Sequence, residues 1–409
     1  MLTTKNVAMS ELNNVNVLLG ITGGIAAYKT PDLVRKLAAK GANVRVVLTA
    51  SAQEFVSPLA LQAVSGNPVV FDLLDPAAEA AMGHIELAKW AELVLIAPTT
   101  ANFMAKLACG LADDLLSTLC LATSAQIYIA PAMNQQMWQA AVTQDNLQCL
   151  LARGVAVFGP AQGEQACGDV GPGRMLEPEE LTQRLCETKL PALFAGKHLV
   201  ITAGPTQEAI DPVRYITNRS SGKMGYALAQ AAVNLGASVT LVSGPVSLSP
   251  ASGINLVKVV SAQQMQDAVM QNIADCDIFI GCAAVADYKP RQVQQQKMKK
   301  NETELNLSFT RNPDILAGVA ALDKRPFTLG FAAETEKVAH YAQDKMSRKK
   351  LDMIAANDVS QADIGFNSEN NALQVFWPGG EQYLEVADKY QLALQLLALV
   401  SEQYNKKAI

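Results

Sequence analysis

The strongest constraint on this chain is a pattern it uses twice: a short apolar strand, a glycine-containing turn, a helix and a second strand. Val15–Gly20 leads into Ile21-Thr22-Gly23-Gly24, Ile25–Ala39 fits a helix stopped by Gly41, and Asn43–Leu48 reads as the next strand. His198–Ala203 leads into Gly204-Pro205-Thr206, and polar residues carry the chain past Arg214 to Asn218-Arg219-Ser220-Ser221-Gly222-Lys223-Met224-Gly225. Tyr226–Leu235 then reads as a helix stopped by Gly236, and Ser238–Ser243 as a strand. Glycine lets backbone N–H groups approach an anion, and the helix N-terminus that follows favours negative charge. Strands alternating with helices predict an α/β chain with mostly parallel sheets. A chain of 409 residues is long enough for two cores. The charged helix Leu181–Lys189, with Pro191 and Gly196 after it, places the boundary near Ala195, giving domains 1–195 and 196–409.

Composition excludes several classes. A net charge of −5 gives no reason to expect nucleic acid or an acidic membrane as partner. Cys109, Cys120, Cys149, Cys167, Cys186, Cys276 and Cys282 are an odd set without C-x-x-C spacing, which argues against a disulfide framework or a zinc site. The polar start lacks the apolar core of a signal peptide, and no apolar run reaches membrane-spanning length. A soluble, cytoplasmic protein is expected.

In the first half the turn spacing is G-x-x-G-G, and no acidic residue closes the second strand, so a ribose diol is a poor match. Hydroxyls at Thr22, Thr49 and Ser51 suit a phosphorylated polyol chain such as that of flavin mononucleotide. A third strand, Leu93–Ala97, runs into Pro98-Thr99-Thr100-Ala101-Asn102, and a fourth, Gln126–Ala130, into Pro131-Ala132-Met133-Asn134. The carboxyl ends of parallel strands line one crevice, so all four loops open on the same edge. Ala105–Leu121 reads as helical, with Asp113 and Asp114 as exceptions whose simplest role is a solvated turn or a helix cap. His84, in Gly83-His84-Ile85, is one of three histidines, and a lone histidine serves packing as readily as catalysis. Cys167 lies in a glycine-rich stretch, Gly163–Met175, with Glu164, Asp169 and Arg174. That stretch fits either a substrate lid or a surface hairpin with an incidental thiol.

Thr22-Gly23-Gly24-Ile25-Ala26-Ala27-Tyr28-Lys29, Gly83-His84-Ile85, Pro131-Ala132-Met133-Asn134 and Ala166-Cys167-Gly168-Asp169 occur in order over Val15–Glu179. Together they resemble the FMN-dependent cysteine decarboxylases, phosphopantothenoylcysteine decarboxylase above all. The resemblance implies a flavodoxin-like, Rossmann-like domain with FMN held by Thr22, Gly23, Gly24, Thr49, Ser51, Thr99 and Asn102. It implies that the substrate's cysteine moiety is oxidised to a thioaldehyde, loses carbon dioxide and is then protonated and reduced, with no external electron acceptor. His84 is then the base of the oxidative step, Asn134 holds the substrate carboxylate, and Cys167 donates a proton in the reductive step. Elementary chemistry agrees: a carbanion beside a thiocarbonyl is delocalised, and Asn134 binds a carboxylate without adding a charge that would oppose its departure as neutral CO₂.

In the second half Cys276–Cys282 reads as a buried strand ending in Ala283-Ala284-Val285-Ala286-Asp287-Tyr288. Asp287 is well placed to take a magnesium ion that carries a nucleotide. Lys289–Lys300 has five basic residues and no acid, and reads as a polar loop suited to closing over phosphates or simply to solvation. Lys345, Arg348 and Lys349 share one helical face, with Asp344 in reach of Arg348, and no Walker motif is present.

The motifs Ala203–Thr206, Ile216–Gly225, Ala283–Tyr288, Lys297–Lys300, Asn312–Ile315, Gly330–Thr335 and Ala356-Asn357-Asp358 resemble bacterial, CTP-using phosphopantothenate–cysteine ligase. The resemblance implies that 4'-phosphopantothenate attacks the α-phosphate of CTP, and that the amine of L-cysteine then displaces CMP from the acyl-cytidylate. It assigns Asn218 to holding that intermediate and Lys297 to amide formation. Asp287 goes to the nucleotide and its Mg²⁺, and Gly281, Cys282, Ala283, Pro313, Asp314, Ile315, Leu316, Phe331, Lys345 and Lys349, with Lys297, to the CTP site. It also implies a homo-oligomer of trimeric decarboxylase and dimeric ligase contacts, a dodecamer. Leu373–Trp377 and Tyr383–Val386 read as a hairpin and Tyr390–Glu402 as an apolar helix, neither suggesting chemistry. A nicotinamide dehydrogenase or a non-catalytic regulatory paralogue are the rival readings. The first predicts no flavin colour and the second no turnover.

Overall fold

The computed structural model describes residues 12–72, 83–166, 168–298, 306–334, 337–358 and 368–407. They form two compact units that divide between Lys189 and Leu190. Leu190–Ala195 pack with the second unit, where the Phe194 N–H donates to Leu235 O.

In the first unit the strands are β1 (Asn16–Ile21), β2 (Asn43–Leu48), β3 (Leu93–Thr99), β4 (Gln126–Pro131), β5 (Ala156–Val157), and the ribbon pair β6 (Ala161–Glu164) and β7 (Val170–Arg174). The sheet order is β2-β1-β3-β4-β5, all parallel. Alternate residues of a strand face opposite sides. Val17, Leu19, Ile21, Leu93 and Leu95 therefore enter one core, and Leu18, Val94 and Ile96 the other. Burial on both faces makes β3 apolar along most of its length, as central parallel strands are.

The second unit contains β8 (His198–Ala203), β9 (Gln207–Ala209), β10 (Tyr215–Thr217), β11 (Ser238–Ser243), β12 (Ile254–Lys258), β13 (Ile278–Gly281), β14 (Tyr288–Pro290), β15 (Phe309–Arg311), β16 (Phe327–Glu334), β17 (Met353–Asp358), β18 (Asn370–Trp377) and β19 (Gly380–Asp388). Its main sheet runs β12-β11-β8-β13-β16-β17-β18-β19, parallel as far as β17 and closed by an antiparallel hairpin. The pairs β9–β10 and β14–β15 form separate antiparallel ribbons. Leu199 and Ile201 face the core that the C-terminal helix Lys389–Lys407 covers with Leu392, Leu396, Leu397 and Val400, while Val200 faces the opposite one.

Several boundaries differ from expectation. Ile25–Lys29 is a 3₁₀ turn ahead of the helix Thr30–Ala39, where Pro31 suits the first turn. Ala105–Leu121 is not one helix: Ala101–Cys109 ends at Gly110 in the left-handed region, and Leu115–Ala122 starts on an Asp114 cap. Asp114 accepts from Ser117 N–H in a capping box, and Lys106 pairs with both Asp113 and Asp114. The acidic pair is structural. Lys289 belongs to β14, so the basic stretch begins as a strand.

The helix Lys223–Asn234 shows why the second turn is written with glycines. Gly222 sits at φ 76, a backbone that side chains adopt at a cost. A Cβ on Gly225 would lie 2.5 Å from Ala203 Cβ and 3.1 Å from its Cα, so helix and strand touch there. Gly225→Ala gains about 0.8–1 kcal/mol of helix propensity. Overpacking costs about 1–3 kcal/mol and here works against backbone, so the clash wins. Thermal unfolding of Gly225→Ala is expected to show a lowered melting temperature for the second unit.

Candidate active sites

In the first unit the strand order reverses between β1 and β3, and a crevice opens at such a point beyond the carboxyl ends. A cavity of about 840 Å³ lies there, lined by Gly23 and Gly24 after β1, Ser51 after β2, Thr100–Asn102 after β3 and Ala132–Asn134 after β4. Gly23 is obligatory for shape, since a Cβ there would stand 2.3 Å from Ser51 Oγ. Of the other hydroxyls assigned to the cofactor, Thr22 donates to Pro98 O at 2.7 Å and Thr99 to Ile96 O at 2.6 Å, both buried and outside the lining. Thr49 is also buried, 3.4 Å from Ser51 Oγ, and backs the wall.

The remaining wall comes from the β6–β7 hairpin, through Glu164, Gln165, Ala166, Gly173 and Arg174. Gln165 ties this hairpin to the β4 loop: its Oε1 accepts from Gln135 N–H at 3.0 Å and its Nε2 donates to Pro172 O at 3.2 Å. Asn134 lines the cavity, caps the helix Gln135–Gln139 and donates from Nδ2 to Asp169 Oδ2 at 2.8 Å. His84 begins the helix His84–Trp90, half-buried and not among the lining residues. Cys167 lies outside the described residues. Sequence reasoning placed Met133 on a crevice loop and Gln165 in the glycine-rich stretch without giving either a role, and it missed Met137 as a wall residue. The two methionines gave no chemical signal, and Gln165 is recognisable only from its hydrogen bonds.

This cavity fits a flavin. Its size lies in the range of small-molecule sites, about 300–1,000 Å³. The glycine turn and Ser51 form a polar end, and Ile25, Ala26, Met133 and Met137 supply apolar surface for a ring system. Lys29 and Arg174 both lie on its wall and share the Glu177 carboxylate.

In the second unit the order reverses between β8 and β13, and a cavity of about 440 Å³ opens over Thr202, Gly281 and Phe331 at their carboxyl ends. Ala283, Asp287, Pro313, Asp314, Ile315, Leu316, Lys345 and Lys349 complete the assigned set that lines it. Cys282 is not in the lining; its side chain packs toward the core, and burial pushes its thiol up to about 12. Lys297 is exposed and is also outside the lining. Arg311, which the sequence reading did not single out, is a further cation on the wall.

Hydrogen bonds lace the motifs together around this cavity. Thr206 Oγ1 accepts from Ala286 N–H at 3.0 Å, and Asn218 Nδ2 donates to Ala284 O and Val285 O at 3.2 and 3.1 Å. Asn312 donates from Nδ2 to Ala286 O and from its backbone to Asp287 O, both at 2.8 Å. Lys345 Nζ donates to Phe331 O, and Lys349 pairs with Asp314 at 2.7 Å. Arg348 reaches Asp344 only at 4.0 Å, an exposed pair. Among the described residues no group of three or more His, Cys, Asp or Glu is arranged to hold a metal. Asp287 is exposed on the cavity wall, where one carboxylate plus phosphate oxygens suffice for magnesium.

Two family models match the chain. One, described as Flavoprotein, covers residues 6–189, and one, described as DNA/pantothenate metabolism flavoprotein C-terminal domain, covers residues 194–404. The coenzyme A biosynthesis bifunctional protein CoaBC of Vibrio cholerae serotype O1 is 58% identical over 399 residues, spanning 97% of this chain and 100% of that protein. The protein of the same name from Escherichia coli strain K12 is 55% identical over 403 residues, spanning 97% and 99%.

Asp314 also caps the helix Ile315–Ala320, accepting from Ala317 N–H. Burial works against its charge, but Lys349 and the cap outweigh it and hold the carboxyl below its ordinary value of 3.8. A carboxyl depressed on folding stabilises fully above its unfolded value, and the contribution is lost as pH falls through the folded one. The cap is therefore expected to hold above about pH 4. Asp314→Asn is expected to lower the melting temperature at neutral pH, where the charged form stabilises, and to converge with the wild type in acid, which flattens the acid limb of melting temperature against pH.

Proposed function

We propose the following division of labour in a chain that belongs to the family of bifunctional coenzyme A biosynthesis proteins. The chain is a phosphopantothenoylcysteine decarboxylase and a phosphopantothenate–cysteine ligase in one polypeptide, and it carries a flavoprotein domain. We read the first cavity as the decarboxylase site and the second as the ligase site. The observation that carries this reading is the pair of cavities at the two strand-order reversals, one largely apolar beyond a glycine turn and the other ringed by Arg311, Lys345 and Lys349.

In the decarboxylase, Gly23, Gly24, Ser51 and Asn102 would hold FMN, with Thr22, Thr49 and Thr99 bracing the loops behind them. Bound there, FMN supplies a two-electron oxidation and takes part in its reversal. Asn134, oriented by Asp169 and by its capping bond, positions the substrate carboxylate while remaining neutral. His84 removes a proton and Cys167 returns one, on the strength of the motif resemblance.

In the ligase, Arg311, Lys345 and Lys349 neutralise the CTP phosphates, and Asp287 takes the Mg²⁺ that travels with them. Asn218 steadies the acyl-cytidylate, and Lys297 assists attack by cysteine. Exposed Val213, Tyr215, Tyr288 and Phe309 near the two ribbons favour a subunit contact there, consistent with a dimeric ligase. No helix among the described residues is long and apolar enough to cross a membrane.

Incubation with 4'-phosphopantothenate, L-cysteine, CTP and Mg²⁺ is expected to give pyrophosphate, CMP, CO₂ and 4'-phosphopantetheine by mass analysis. A protein that stays colourless after reconstitution with FMN and releases no pyrophosphate would end this reading. Lys345→Ala is expected to raise the KM for CTP about tenfold, the effect of losing one charged contact, with decarboxylation of supplied phosphopantothenoylcysteine unchanged. Asn218→Asp, which puts a negative charge beside an anionic intermediate, is expected to slow ligation at least about tenfold.

A further inference from the structure

The ribbon β9–β10 is fastened to the body of the second unit on one side. Gln207 N–H donates to Val260 O at 2.8 Å, and the buried Glu208 carboxylate accepts from Ala262 N–H at 2.9 Å, at the start of the helix Ala262–Asn272. On its other side the turn Ile210–Arg214 meets the segment that carries Lys297. Gln294 N–H donates to Ile210 O at 3.0 Å, Met298 N–H donates to Asp211 Oδ2 at 3.2 Å, and Arg214 Nη2 donates to Met298 O at 3.3 Å. Asp211 is the centre of this junction. Its side chain is fully shielded, and it accepts from Val213 N–H, Arg214 N–H and the Arg214 guanidinium.

Lys297 itself is exposed, on a stretch where every residue from Arg291 to Lys297 is exposed. Within it Arg291 N–H donates to Ser308 O at 2.9 Å and Gln294 N–H to Ile210 O, and the bond from Met298 is the one that adjoins Lys297. The same ribbon continues from Thr217 to Asn218, whose Nδ2 donates to Ala284 O and to the O of Val285, a residue of the cavity wall. We propose that Asp211 is a positioning residue of the ligase: its carboxylate docks the Met298 amide and so sets Lys297 in fixed register with Asn218. The ribbon thereby joins the two side chains assigned to the acyl-cytidylate in one frame. The arrangement rests on the reading of Lys297 given above.

A carboxylate that served only its own turn would need the Val213 and Arg214 donors alone. The bond to Met298 is the part that points to Lys297, and it can be removed from either end. Asp211→Asn weakens the acceptor and breaks the ion pair with Arg214. Met298→Pro deletes the donor N–H on the loop without changing a residue of the turn, and because proline also restricts Lys297 before it, agreement with Asp211→Asn is required. The full chain is used, with two half-reactions followed separately: pyrophosphate release without cysteine, and amide formation on adding it. Lys297→Gln is measured first, to show which half-reactions depend on that side chain.

Asp211→Asn and Met298→Pro are each expected to slow those same half-reactions about tenfold, leaving any other within about twofold. Hydrogen exchange over Gln294–Lys297 is expected to quicken in both variants, with β8 unchanged as a measure of the fold. Ligation at the wild-type rate in either variant, or slowing of a half-reaction that Lys297→Gln spares, overturns the proposal. Should Asp211→Asn loosen β8, the rate and the exchange of Met298→Pro together decide. Wild-type ligation by Lys297→Gln would instead overturn the role of Lys297, and this inference with it.

Discussion

A strand covered on both faces admits a polar side chain only where a neighbour satisfies it, as His198 does Thr240 and Asp352 does Thr328, so ligand chemistry is pushed to its ends. Both units of this protein are built on that constraint. In β3, Leu93, Leu95 and Ala97 face one core and Val94 and Ile96 the other, and the first ligand-accessible residues come at Thr100–Asn102. In the second unit Ile278 and Ile280 face one core and Phe279 the other, and the cavity opens over Phe279 and Gly281. Each sheet then gains its crevice where the strand order turns back, between β1 and β3 and between β8 and β13. Position in the fold is shared by the two sites, and chemistry is not.

The difference lies in what each wall does with charge. In the first cavity Lys29 and Arg174 are both committed to Glu177, and the interior is finished with alanine and methionine. Methionine adapts to a flat ring at little cost, which suits an aromatic cofactor. In the second, Arg311, Lys345 and Lys349 line the same space as Asp287 and Asp314. Among the described lining residues three cations stand with two acids, and Asp314 is tied to Lys349. A polyphosphate with its metal ion restores that balance, whereas an uncharged ligand does not.

The architecture was legible because strand and helix periods differ and because glycine marks the turns. Gly222 and Gly225 stand where a left-handed backbone and a close helix–strand contact demand them. The cavity walls were legible wherever a loop follows a strand directly, as at Gly23, Ser51, Asn102, Asn134, Ala283 and Asp287. What could not be read was the direction of a hydroxyl. Thr22 and Ser51 are equivalent in a sequence, yet Thr22 spends its hydroxyl on Pro98 O while Ser51 remains on the wall. Nor does sequence spacing show that Gln165 bonds across to Gln135, thirty residues away. The break at Gly110–Asp114 was hidden because alanines and leucines run along both sides of it, and only the glycine and the cap reveal it.

Asp211 is the extreme case, because an aspartate in a polar loop reads as solvated. Its side chain is shielded from water, and a carboxylate so placed is costly unless donors replace its hydration. The donors are present: the Arg214 guanidinium foremost, then the amides of Val213, Met298 and Arg214, which hold the carboxyl well below its usual range. Three of the four come from the turn that Asp211 itself starts, so the turn alone explains most of its charge. The fourth comes from Met298, eighty-seven residues on in the chain. A local turn has no need of that partner. The segment that carries Lys297 gains from it, since an exposed lysine on a long side chain loses much of its freedom only when the backbone beneath it is fixed.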